Sequence, residues 1–175
     1  MSGRRCRVVV NTTNGVSYRF VVETASTLFQ RAKGLMGRTA WNGSDGMLFV
    51  YPWPRVTGIW MAGTHLALDA VFIAADGKVF KIAHELVPHT RHTEYSGSPV
   101  KWVLEVPAGT CRRIGLEVGA AVEVMEDRTK AGWMRWLAGL SGRFPATKNG
   151  KETGEGVVAF NGGLSGSMQR KGKTP

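Results

Sequence analysis

The chain has 175 residues, 43% of them hydrophobic, and a formal net charge of +10. That is enough apolar material for one domain with a real core and an appendage. The charge is uneven: residues 1–125 carry 14 basic and 9 acidic side chains and residues 126–175 carry 9 and 4, so net charge is denser in the tail, which is expected either to contact nucleic acid or an anionic membrane or simply to aid solubility.

Cys6 and Cys111 follow no CxxC or Cys/His metal spacing, so neither a disulfide framework nor a zinc site is expected, and reduced thiols are the default. Charged residues occupy the start, Met1-Ser2-Gly3-Arg4-Arg5-Cys6-Arg7, where an export signal needs an apolar segment. Apolar runs break well short of the ~18 residues a membrane span needs. A soluble, cytoplasmic protein is the expectation.

In chain order, Arg5 to Asn11 and Val16 to Glu23 are β-branched runs around Asn14-Gly15, a tight-hairpin signal. Between Thr24 and Gly37, Leu28, Arg31, Ala32 and Leu35 fall at helical spacing, with Ser26 or Thr27 to cap the start and Gly34 and Gly37 to stop it. Gly46 to Tyr51 reads as a buried strand ended by Pro52 and Pro54, and Gly58 to Met61 as a shorter one. Leu68 to Ala75 and Lys78 to Ala83 flank the Asp76-Gly77 turn. Lys101 to Val106 and Ala120 to Met125 complete the strands, with a turn or short helix over Cys111 to Leu116. The pattern predicts an α+β class, a β-rich, mostly antiparallel small barrel-like domain over residues 5–125 with one short helix after the first hairpin. Residues 126–140 place Trp133, Trp136, Leu137 and Leu140 on one face of a short amphipathic helix, and 141–175 read as a disordered, basic, Gly-rich tail.

Within Gly58 to Ile73, Asp69 is the one acidic residue of an otherwise apolar run. A buried carboxylate costs several kcal/mol, roughly, unless it is paired or hydrogen-bonded. Asp69 is therefore expected to be a fold anchor or a site residue.

Several ordered motifs carry a resemblance: Thr27-Leu28-Phe29-Gln30-Arg31-Ala32-Lys33-Gly34-Leu35-Met36-Gly37-Arg38, Asp45-Gly46-Met47-Leu48-Phe49, Trp60-Met61, Thr64, Leu68-Asp69, and Val103-Leu104-Glu105 with Ala108-Gly109. Over about residues 16 to 125 the chain resembles the domain of unknown function 192 (DUF192) family. The resemblance implies a compact β-rich fold and no established activity. Where members commonly have lysine and asparagine after Trp-Met, this chain has Ala62-Gly63, which removes a cation and an amide from the suspected site segment. Members often carry an export signal, and this chain is expected to lack one.

Arg31, Asp69 and Glu105 are the charged residues within these motifs that lie beside apolar runs, and Arg31 could form a bidentate pair with either carboxylate. With Trp60 and Thr64 they are the candidate ligand-binding residues: Trp60 offers an aromatic face and Asp69 a carboxylate, as a sugar or amine site would use. Met36, Met47 and Met61 with His65 would suit a soft ion such as Cu(I), but methionines more often fill core gaps. His84-Glu85-Leu86-Val87-Pro88-His89 is one residue too long for HExxH and contains a proline, so His84, His89 and His92 are expected in surface loops. Arg112 and Arg113 could lower the Cys111 thiol pKa. Neither a metal nor a cofactor is expected. The expected function is a non-enzymatic domain, binding an unknown small molecule or serving as an accessory to a protein partner, with a concave face gathering Arg31, Trp60 and Asp69. The alternative is an enzyme acting through Asp69 on a small polar or carbohydrate-like substrate.

Overall fold

The computed structural model describes residues 4–126. Apart from Glu126, the amphipathic segment 126–140 and the whole tail 141–175 lie outside the described residues. The first hairpin forms as its turn dictates: β1 (Arg5–Asn11) and β2 (Ser17–Ala25) pair antiparallel from Arg5↔Glu23 to Asn11↔Ser17. Gly15 supplies the positive φ of +84° that the turn requires. Thr12 closes the turn, its amide and hydroxyl both donating to the Val16 carbonyl at 2.9 and 2.7 Å.

The helix α1 (Leu28–Lys33) starts in a capping box: Gln30 N donates to Thr27 Oγ1 at 3.2 Å, and Thr27 N donates to Gln30 Oε1 at 3.0 Å. Gly34 ends it. The helix α1 buries none of its residues, and Leu28, one of those at helical spacing, is 78% exposed. The buried leucine of this segment is Leu35, just past the helix.

Nine strands and two short helices make up the described fold. The remaining elements are β3 (Gly46–Arg55), β4 (Gly58–Trp60), β5 (Leu68–Ile73), β6 (Val79–Leu86), β7 (Thr93–Tyr95), β8 (Val100–Pro107), α2 (Thr110–Arg113) and β9 (Ala121–Glu126). Seven strands form one sheet in the order β6-β5-β8-β3-β2-β1-β9, and β4 pairs with β7 in a separate ribbon. All ladders are antiparallel except β2–β3, whose parallel pairing uses the crossover through α1.

The sheet is not closed into a barrel, which corrects the expected barrel-like form. Its edges meet only where the β5–β6 turn reaches β9, through the Lys78↔Ala121 bridge and flanking backbone bonds such as Val122 N to Gly77 O at 2.8 Å. No ladder runs along β6 and β9 to form a seam. A second difference is that β3 continues through Pro52 and Pro54. The β3–β8 register jumps between Val50 and Arg55, so the missing proline N–H groups remove no ladder bond. The Pro52 carbonyl instead accepts from buried Lys101 at 2.8 Å.

The sheet buries apolar residues on both faces. One cluster contains Val8, Val10, Val22, Leu48, Val71, Ile73, Leu104 and Val106, and the other contains Met47, Phe49, Tyr51, Ala70, Phe72 and Val103. Alternation along each strand sends neighbours to opposite faces. Gly46 lets β3 and β8 approach, since a Cβ there would lie 2.2 Å from the Glu105 carbonyl oxygen.

Candidate functional site

Two carboxylic acids in adjacent strands end in different surroundings. Asp69 pairs with Val106, and its neighbour Ala70 pairs with Glu105. Val106 belongs to one cluster and Ala70 to the other, so strand pleating places Asp69 and Glu105 on opposite faces of the sheet.

Asp69 is fully buried and saturated by backbone donors. Its Oδ1 accepts from Glu85 N at 2.8 Å and Gly109 N at 3.2 Å, and its Oδ2 accepts from Cys111 N at 2.9 Å. These bonds tie β5 to the end of β6 and the start of α2. Glu85 and Gly109, with φ of 53° and 78°, turn their amides toward the carboxylate through left-handed backbone. Cys111 sits beside Asp69 in the same buried region. Burial first, and then the Asp69 charge and hydrogen bond, push its thiol pKa up, opposite to the lowering expected from Arg112 and Arg113. The thiol is thus held protonated and unreactive.

Glu105 is only 4% exposed, yet its side chain makes no hydrogen bond or ion pair among the described residues. No described side-chain nitrogen or oxygen is both sealed and unpartnered, so the Glu105 oxygens open onto the space beside them. That space is a cleft of about 210 Å³ between the α1 region and the sheet. Burial raises the Glu105 pKa from 4.5 to about 8. At neutral pH the group is therefore a carboxylic acid that can donate one hydrogen bond and accept others.

Arg31, Trp60, Thr64 and Glu105 all line this cleft, and Asp69 does not. The expected concave face therefore assembles without Asp69. Arg31 is paired with neither carboxylate: its Nη1 donates to the Val50 carbonyl at 3.0 Å and to the Ser26 carbonyl, and its guanidinium lies 5.2 Å from the Tyr51 ring centroid. Trp60 is 42% exposed at the cleft edge, and Thr64 is buried.

Tyr51 and Thr57 also line the cleft and were missed in sequence. The Tyr51 hydroxyl lies 2.8 Å from Thr57 Oγ1. Burial raises the Tyr51 pKa, the Thr57 hydrogen bond and the Arg31 and Arg55 charges oppose the rise, and Glu105 adds to it. Period-two spacing along Met47, Phe49 and Tyr51 was the available signal. The far side of the cleft is fixed by Glu23 and Arg38, a bidentate pair with both contacts at 2.6 Å that pins the segment after α1 to β2. Gly34, at φ +46°, brings that segment against Phe49, whose ring lies 3.1 Å from where a Cβ would stand. At the Ala62-Gly63 departure, Gly63 takes φ +70°, its carbonyl accepts from Gly37 N at 2.8 Å, and Met36 packs against it.

Met47 and Met61 are core residues, and no group of three or more His, Cys, Asp or Glu residues suited to a metal occurs among the described residues. His65 and His89 are exposed and touch edge to face, with ring centroids 4.5 Å apart.

Solved structures resemble this one. A protein from Sinorhizobium meliloti 1021, described as a "putative transcription regulator", is 38% identical, with a TM-score of 0.68 over 71% of this chain and 96% of its own. A protein of unknown function from Novosphingobium aromaticivorans DSM 12444 is 35% identical, with a TM-score of 0.63 over 67% of this chain and 83% of its own. No curated protein matches the sequence. The family model described as "Uncharacterized ACR, COG1430" matches residues 9–124, and on that span the chain belongs to the DUF192 family.

Proposed function

We propose that the domain binds a small molecule in the cleft between the α1 region and the sheet, with Glu105 as its central polar contact and Arg31, Trp60 and Thr64 around it. One observation carries this reading: a carboxyl group buried among apolar residues, with no hydrogen-bond or ion-pair partner among the described residues, opening onto a cavity. An unpaired buried acid costs stability, and a ligand hydrogen bond would offset that cost. Apolar walls with a few convergent polar groups are the usual make-up of a small-molecule site.

Catalysis through Asp69 lacks comparable support, because both of its oxygens are already occupied by backbone amides away from the cleft. A sensing role would agree with the description of the Sinorhizobium relative as a regulator. Direct reading of DNA by a helix has no support among the described residues, since α1 has six residues and α2 four.

A fragment screen on the full chain by amide-resolved NMR tests the proposal. Hits should move the signals of Gly34, Thr57, Gly58 and Thr64, and Glu105→Gln should alter their affinities. Hits that gather on another face, or that ignore Glu105→Gln throughout, would refute it.

A further inference from the structure

The cleft holds more cation than its one acid can balance. Arg31, Lys33 and Arg55 line it together with Glu105, which is the one acidic residue among the lining residues described. Arg31 commits Nη1 to two carbonyls, while its Nε and Nη2 donors meet no partner among the described residues. The Arg55 and Lys33 side chains likewise make no hydrogen bond or ion pair there, and both residues are exposed. Arg31, Arg55 and Glu105 line the same cleft as Tyr51, and the Arg31 guanidinium lies 5.2 Å from the Tyr51 ring centroid. Phe49, Ile59, Trp60 and Leu28 supply apolar surface beside it.

Resting on the reading of this cleft as a ligand site, we propose that the ligand is a small organic monocarboxylate with a compact apolar or aromatic body, its head held by Arg31 and Glu105 and its body against Phe49, Ile59 and Trp60. The Arg31 guanidinium has the planar fork that suits a carboxylate. The protonated Glu105 donates its O–H to the same head, and a charged acceptor strengthens such a bond. Arg55 and Lys33 at the mouth attract the anion as it enters. An ammonium ligand would meet three like charges. A neutral sugar would bring no anion to the Arg55 and Lys33 charges or to the Arg31 donors left over from its two carbonyl bonds.

Matched probes separate the classes: phenylacetate, phenylacetamide and phenethylamine share a body and differ in head group, as do the benzoate and 3-phenylpropionate series. Each is titrated into the full chain by amide-resolved NMR and calorimetry at about pH 6.5 and about pH 9, either side of the Glu105 midpoint. The carboxylates should bind best, shift the Gly34, Gly58 and Trp60 signals, and lose affinity at the higher pH as Glu105 ionises. Arg31→Gln should weaken them about tenfold. Arg55→Gln should weaken them a few-fold, and this exposed position keeps the test decisive if Arg31→Gln fails to fold. Tighter binding of the amides or amines in the cleft overturns the monocarboxylate assignment and leaves the ligand cleft standing. The absence of cleft shifts from every probe overturns both.

Discussion

Asp69 and Glu105 lie one residue out of register on neighbouring strands, both buried, and they meet opposite fates. On one face, three backbone amides converge on Asp69 and knit β5, β6 and α2 together. On the other, no group among the described residues answers Glu105, and the fold leaves a cavity in front of it. A satisfied buried acid is part of the architecture, whereas an unsatisfied one is a stability cost that a ligand can offset. Burial alone does not separate the two, and hydrogen-bond partners do.

Exchanging the roles breaks the comparison most sharply. Asp69→Ala strands three amide donors at about 1–3 kcal/mol each, so a loss of about 3–9 kcal/mol in denaturant unfolding is expected. A variant with the wild-type midpoint and slope would show that Asp69 anchors nothing. Glu105→Gln, by contrast, exchanges one neutral hydrogen-bonding group for another near pH 6 and should change stability by less than about 1 kcal/mol.

The pH dependence of stability should single out Glu105. Between pH 4.5 and about 8 it is protonated in the fold and ionised in the unfolded chain. The folded state then binds the extra proton, and stability falls as pH rises through that window. The slope approaches about 1.4 kcal/mol per pH unit for a single group. Melting temperatures should accordingly decline from about pH 5 to about pH 8, and the decline should be flatter in Glu105→Gln; parallel profiles would remove Glu105 as its source.

A smaller effect is expected at the helix bordering the cleft. Since α1 buries no residue, its capping box and its links to the strands must hold it. Thr27→Ala should cost about 1 kcal/mol and raise amide exchange at Arg31 and Gly34. Unchanged exchange there would mean that other contacts set the position of α1.

Local chemistry made much of the fold legible. Asn14-Gly15, Asp76-Gly77, the Thr27 cap and the Gly34 stop each carry their own conformational signal, and each lies where the structure has its turn or helix end. The passage of β3 through two prolines was not legible, because it depends on a register jump against a strand some 50 residues away. Nor was β7, three residues paired only with β4. Arg31, Trp60, Thr64 and Glu105 were named from sequence and share one cleft. Separating Asp69 from them was beyond the pattern: all six residues of β5 are buried, so no polar alternation marks which face each one takes.

The most direct test is a carbon-13 NMR titration of the Glu105 side-chain carboxyl in the full chain, assigned by comparison with Glu105→Gln. The account predicts a midpoint near 8, as burial raises it, and a change in that midpoint when a cleft ligand is added. A midpoint near the ordinary 4.5, unmoved by any ligand, would mean that Glu105 is solvated or paired like any surface acid, and would contradict the cleft as a binding site.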